Sequence, residues 1–333
     1  MSTEEASYRF EFRARWWRAL VRSCEGTGGG KRLGPGIDAP HPARPYYMIP
    51  PPRRMLSASD RRVQPGPAST PALPLMHRRA ALLAITLMAS APLAAQRAPD
   101  LPASGQALIT RMHDAYAGRW FRTLTFVQRS TLLGPDGRER VETWYEAGRA
   151  PGDLRIDIED PKAGNGMMWR GDSSYRFRGG TLARAGTDGN SLIPFVMALY
   201  HQPVEATLRQ LAPSRFDYAR VRADSWEGRP VFVVGARDAA DTLSPQFWVD
   251  AERLVLLRLI ETMPRDTTQR LEVRMSRYEP LAGGWIAPYV DIFVGGRLVQ
   301  KEEYSDIRGN VDLSPDLFEP SKWTTAPHWV KIF

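Results

Sequence analysis

Three histidines fall downstream of residue 100, at His113, His201 and His328, and none stands at ligand spacing from another histidine or a carboxylate pair. A zinc site needs several such donors converging from short motifs, so no metal is expected. Nucleophilic chemistry fares no better. No Gly-x-Ser-x-Gly elbow occurs, and Gly171-Asp172-Ser173-Ser174 is no substitute for it. Asp157, Glu159 and Asp160 gather beside Pro161. Two carboxylates that converge in space can cleave a glycosidic bond, but an acidic strand end is ordinarily a solvated loop. The stretch from Gly26 to Arg32 (GTGGGKR) invites comparison with a phosphate-binding loop and fails it. Glu25 occupies the first glycine position and Arg32 the hydroxyl position that should meet the metal. The expectation is a protein without cofactor and without covalent chemistry, not an enzyme.

The charge balance narrows the partners. The chain carries a net +8, and residues 1–95 hold 14 basic and 6 acidic side chains against 31 of each in residues 96–333. The whole excess lies upstream, so the inference that a basic protein seeks nucleic acid does not reach the part expected to fold. Residues 1–75 also hold 11 of the 28 prolines and a Gly-Gly-Gly run. Such a composition buries too little surface to offset its ordering entropy. Next comes MHRRAALLAITLMASAPLAAQ at 76–96. A basic start, a short apolar run and a small-residue exit are the parts of a secretory signal peptide. The reading is therefore a disordered or misassigned upstream extension over 1–75, a signal peptide over 76–95 beginning at Met76, and an exported domain over 96–333. A cytosolic tail ahead of a membrane anchor is the alternative. The apolar run is shorter than the ~20 residues a spanning helix needs, and Pro92 interrupts it. The only cysteine, Cys24, lies upstream, so neither disulfides nor thiolate sites are expected in the exported part.

Candidate groups must be held by strands. Leu108, Met112, Ala115 and Tyr116 recur at helical spacing, predicting an amphipathic helix over 104–118. Beyond it the pattern alternates. Thr123–Leu133 and Arg138–Glu146 flank the turn sequence Gly134-Pro135-Asp136-Gly137, and Leu154, Ile156 and Ile158 alternate with Arg155 and Asp157. Ser191–Tyr200 and Val204–Leu211 read as two short helices split by Pro203. Strands resume near 217–223, 230–236, 245–250, 254–262, 268–278, 284–294 and 297–307. The fold class expected is mainly β: a strongly curved, unclosed antiparallel barrel of about ten or eleven strands, with a few short helices as a lid.

Large apolar side chains stud these strands. Phe126, Trp144, Met168, Trp169, Phe177, Trp248, Met275 and Phe293 are the candidates to line a cavity on the sheet's inner face. A curved sheet under few helices has a wide concave face, either filled by side chains or left open for an acyl chain. Sequence alone leaves both open.

Short motifs in order give a family resemblance. Phe126-Val127-Gln128 resembles a Phe-x-Gln first strand, and Gly148-Arg149-Ala150-Pro151 ahead of Leu154-Arg155 a basic-Pro turn. Gly171-Asp172 to Tyr175, Gly189 to Phe195, and Asn310, Leu313, Phe318 and Pro320 complete the series. Together they resemble the LolA/LolB-like superfamily of periplasmic lipoprotein carriers and outer-membrane lipoprotein-sorting proteins. The resemblance implies a periplasmic protein holding lipid or lipoprotein acyl chains in an apolar cavity, with envelope proteins as possible partners. It also implies a lid carrying Pro194, Phe195 and Leu199, latched by Arg149 donating to carbonyls around 194–198. A plain turn arginine is the other reading of Arg149. A protein-interaction or sensor module of the same fold, its cavity filled, is the other reading of the whole.

Overall fold

The computed structural model describes residues 100–330 except 188, 264 and 265; the signal-peptide and upstream readings, and Cys24, lie outside the described residues. Helix α1 (Gly105–Tyr116) starts where the Ser104 hydroxyl accepts the Ala107 N–H, and it buries Leu108, Ile109 and Met112 on one face. That hydroxyl satisfies one of the amides a helix start leaves unpaired.

Strands follow in hairpin succession: β1 (Thr123–Leu133), β2 (Glu139–Arg149), β3 (Asp153–Ile158), β4 (Gly166–Arg170), β5 (Ser173–Arg178) and β6 (Thr181–Gly186). Two short helices interrupt them, α2 (Ile193–Val196) and α3 (Val204–Leu211), with a 3-10 turn at Ala198–Tyr200 between. Then come β7 (Val221–Trp226), β8 (Arg229–Val234), β9 (Gln246–Asp250), β10 (Leu256–Thr262) and β11 (Arg270–Ser276). A small hairpin of β12 (Glu279–Leu281) and β13 (Gly284–Ile286) precedes β14 (Tyr289–Val294) and β15 (Arg297–Gly309).

Thirteen of these strands form one antiparallel sheet in the order β6-β5-β4-β3-β2-β1-β15-β14-β11-β10-β9-β8-β7. The first and last strands meet at its centre, and β6 and β7 are its unjoined edges, so the barrel is not closed. The strand predicted over 284–294 is two, separated at Ala287-Pro288, where proline supplies no N–H to a ladder. β6 was not foreseen; after the Gly179-Gly180 turn its residues are mostly exposed and carry no apolar alternation.

The two faces of the sheet are covered differently. On the concave side, α1, α3 and the 3-10 turn fill the β7–β10 arm, where Phe216 packs edge to face on Phe195 and Phe247 in one cluster with Leu108, Met112 and Phe232. On the convex side, the segment after β15 lies over β2–β5. Leu317 and Phe318 pack on Ala147, and Trp323 stacks flat on Phe177 at 4.1 Å.

Candidate functional site

Between the sheet's centre and α2 lies a cavity of about 250 Å³ with predominantly apolar walls. Strand alternation decides which candidates reach it. Phe126, Trp144, Trp169 and Met275 line it, as does Phe195 from the lid segment. Four others point the other way. Met168 and Phe177 pack against Trp323, Trp248 joins Val231, Val233 and Leu257, and Phe293 lies under the Arg274 guanidinium. Met168 and Phe293 each stand one residue from a cavity position, Met167 or Trp169 and Ile292, and a single step along a strand reverses the face. Pro194 and Leu199 are buried in the lid segment without lining the cavity.

The latch expected of Arg149 is corrected by the same alternation. Gly148 faces the lid, where a Cβ would stand 2.7 Å from the Met197 terminal carbon. Arg149 faces away. It donates to Asp153 at 2.9 and 2.6 Å and stacks over the Phe318 ring at 4.5 Å.

The lid segment is held by other groups. The Trp120 indole N–H donates to the Val196 carbonyl at 3.1 Å, and the same ring stacks on Tyr200 at 3.8 Å. A ring nitrogen of His201 lies 2.9 Å from the Phe121 carbonyl. At the segment's start the Ser191 hydroxyl donates to Glu261 at 2.6 Å, and Ser214 donates to the other oxygen of the same carboxylate. These residues were missed. The one signal for them is the Trp120-Phe121 pair placed immediately before β1.

The second omission is a polar strip inside the apolar wall. β1 lies between β2 and β15, with Phe126 opposite Glu146, Gln128 opposite Tyr304, and Ser130 opposite Glu302. The Glu302 carboxylate accepts the Tyr304 hydroxyl at 2.7 Å and the Gln300 side-chain N–H at 2.8 Å. Tyr304 itself stacks on Phe126 at 4.2 Å. Burial, with the neighbouring Asp291 charge adding to it, pushes Glu302 up to about 7 despite the hydrogen bonds from Tyr304 and Gln128. Glu146, 6 % exposed, is pushed well above the usual carboxylate range by burial and then by Glu302. No described residue hydrogen-bonds the Glu146 carboxyl. Glu142, Trp144 and Glu146 on β2, and Gln300, Glu302 and Tyr304 on β15, alternate in phase. That pairing of acids with aromatics was visible in the sequence.

Among the described residues, four carboxylates line the cavity, Glu146, Asp153, Glu261 and Glu302, and no lysine, arginine or histidine does. Asp157, part of the acidic strand end considered earlier, lies on the convex face and is bound by Arg155 and His328. Among the described residues, no three His, Cys, Asp or Glu side chains gather as a metal would require, and no helix is long and apolar enough to cross a membrane.

No family model and no curated protein matches the chain. Solved structures do. The chain is similar to LolA-superfamily structures. One is an outer membrane lipoprotein-sorting protein domain from Vibrio parahaemolyticus, at TM-score 0.44 and 12% identity over 65% of this chain and 97% of that one. A LolA superfamily protein from Nitrosomonas europaea gives TM-score 0.42 and 13% identity, over 65% and 97%. A DUF1329 family protein from Desulfovibrio piger gives TM-score 0.45 and 17% identity, over 66% and 97%.

Proposed function

We propose that this is an exported envelope protein that holds lipid, or the acyl chains of a lipoprotein, in its cavity for transport or sorting towards the outer membrane. The observation that carries the reading is the cavity of about 250 Å³, apolar over most of its wall and bounded by the lid segment. Side chains fill the concave face of the β7–β10 arm, whereas the sheet's centre keeps an open space. Burial of an alkyl chain there contributes about 0.8 kcal/mol per CH₂, enough for retention without any covalent step. The order of the lipoprotein-carrier motifs in the sequence supports the same reading, and the signal-peptide pattern at 76–95 supports export.

The test is the intact mass of the protein recovered from its native envelope, under native and denaturing conditions. A denatured mass beginning at Gln96, with a lipid-sized excess in the native spectrum, is the expected result. Bare protein that also fails to take up a neutral alkyl probe overturns it.

A further inference from the structure

We propose that the cavity selects amphiphiles with an ammonium head, received by Glu146, Glu302 and Gln300. This deepens the carrier reading and rests on the cavity accepting an alkyl chain. Three independent observations converge on the strip between β2 and β15. Among the described residues, the cavity wall holds four carboxylates and no cationic side chain. The Glu146 carboxyl, nine-tenths buried and lining the cavity, receives no hydrogen bond from any described residue. The Gln300 side-chain oxygen, on a residue 1 % exposed that also lines the cavity, is a buried acceptor without a partner.

Acceptors without donors call for a ligand that is all donor. An ammonium carries three N–H groups and no acceptor. It can meet the Gln300 oxygen and a carboxylate together, with the Phe126–Tyr304 stack beside it as an aromatic surface that favours a cation. A carboxylate or phosphate head would instead face like charge in a poorly solvated space, which is strongly unfavourable. Two possible donors at the strip are already engaged, Tyr304 to Glu302 and the Gln128 amide to Ser130 at 2.6 Å. Arg176 on β5, whose guanidinium contacts the Met167 sulfur, does not line the cavity. Asp153 and Glu261 are already served, by Arg149 and by the two serine hydroxyls. The unsatisfied pole is therefore Glu146 with the Gln300 oxygen, beside Glu302, whose two oxygens accept from Gln300 and Tyr304. Burial raises both of these acids, and an entering ammonium, by favouring their charged forms, lowers them again.

The experiment uses the full chain and three twelve-carbon probes below their micelle concentrations: dodecylammonium, dodecanol and dodecanoate. Each displaces a neutral fluorescent reporter at about pH 8, where both the ammonium and the alkanoate are charged. Dodecylammonium is expected to bind at least about tenfold more tightly than dodecanoate. The double variant Glu146→Gln/Glu302→Gln should bring the two within about threefold while retaining dodecanol. Equal or tighter binding of dodecanoate, or a preference that survives in the double variant, overturns the proposal. If dodecanol binds without any head-group preference, only this proposal falls. If dodecanol and both ions fail to bind, the carrier reading falls with it.

Discussion

The concave and convex faces of this sheet are built from similar residues and put them to opposite uses. On the convex face the buried Arg155 and Arg258 each have a carboxylate partner, and Phe177 and Trp248 are covered by other groups. Arg155, 3 % exposed, grips Asp157 at 2.7 and 2.8 Å and lies over Trp323 at 4.0 Å. Arg258 donates to Glu272 at 2.7 Å and lies over the rings of both Trp226 and Trp248. On the concave face the acids have no cation among the described cavity-lining residues, and Trp144 and Trp169 border open space. Paired charge and filled volume mark surface that exists for stability. Unpaired acceptors beside a void mark surface that awaits something. Arg155 and Arg258 lie on the outer face with their carboxylate partners, and the Glu146 carboxyl lies on the inner one.

Removing the convex cation should have the largest effect. Arg155→Met strands Asp157, fully buried, with only His328 beside it, and is expected to cost about 3–5 kcal/mol in urea unfolding. A loss below about 1 kcal/mol would erase the distinction between the faces. Filling the void should do the reverse. Ile292→Trp, on β14 and lining the cavity, is expected to lower neutral-probe affinity about tenfold or more, with an unfolding midpoint close to the parent's. Unchanged affinity would move the binding site elsewhere.

The lid contact is smaller. Trp120→Phe removes the indole donor to the Val196 carbonyl, worth about 1 kcal/mol. Faster hydrogen exchange over 193–201, with β1 and β15 unaffected, would locate the loss in the lid segment.

The faintest effect is in the pH profile, where the faces should oppose each other. Glu302 is raised on folding, so its contribution is full below its unfolded value of 4.5 and is lost as pH climbs towards about 7. Asp157 ends below its ordinary value: burial raises it, but hydrogen bonds from Arg155 and His328 outweigh that. Its contribution is present above 3.8 and is lost as pH falls from there. Glu302→Gln should flatten the loss between pH 4.5 and 7, by on the order of 1 kcal/mol, and leave the acid limb unchanged. A slope that persists would assign it to Glu146 instead.

Much of this architecture was legible in the sequence. The α1 helix, the β1–β2 hairpin across Gly134–Gly137 and the late strands follow from periodicity and turn residues, because those signals are local. The cavity wall was legible only by halves. Met168 and Trp169 are equally apolar neighbours, and which faces the cavity depends on strand phase, which Trp323 fixes from more than 150 residues away. Trp248 and Phe293 went astray for the same reason: arginines on adjacent strands cover them, and sequence does not show adjacency. Arg149 misled through its motif. One residue of strand alternation gives the lid to Gly148 and turns the guanidinium to Asp153 and Phe318. The empty acceptors of Glu146 and Gln300 could not be read at all, since a missing partner is a property of three-dimensional surroundings.

The pairing of β1 with β15 at the centre of the sheet has a consequence for biogenesis. Its partners, such as Gln128 with Tyr304, lie far apart in the chain, whereas each arm is a succession of near neighbours that can pair as they emerge. Closing so long a loop is slow relative to hairpin formation. The strip that carries Glu302 therefore belongs to the last strand made, and a growing chain holds two half-sheets but no compartment. Truncation anywhere before β15 removes Gln300, Glu302 and Tyr304 from the cavity wall, so under the proposed function only a chain that includes β15 can be loaded.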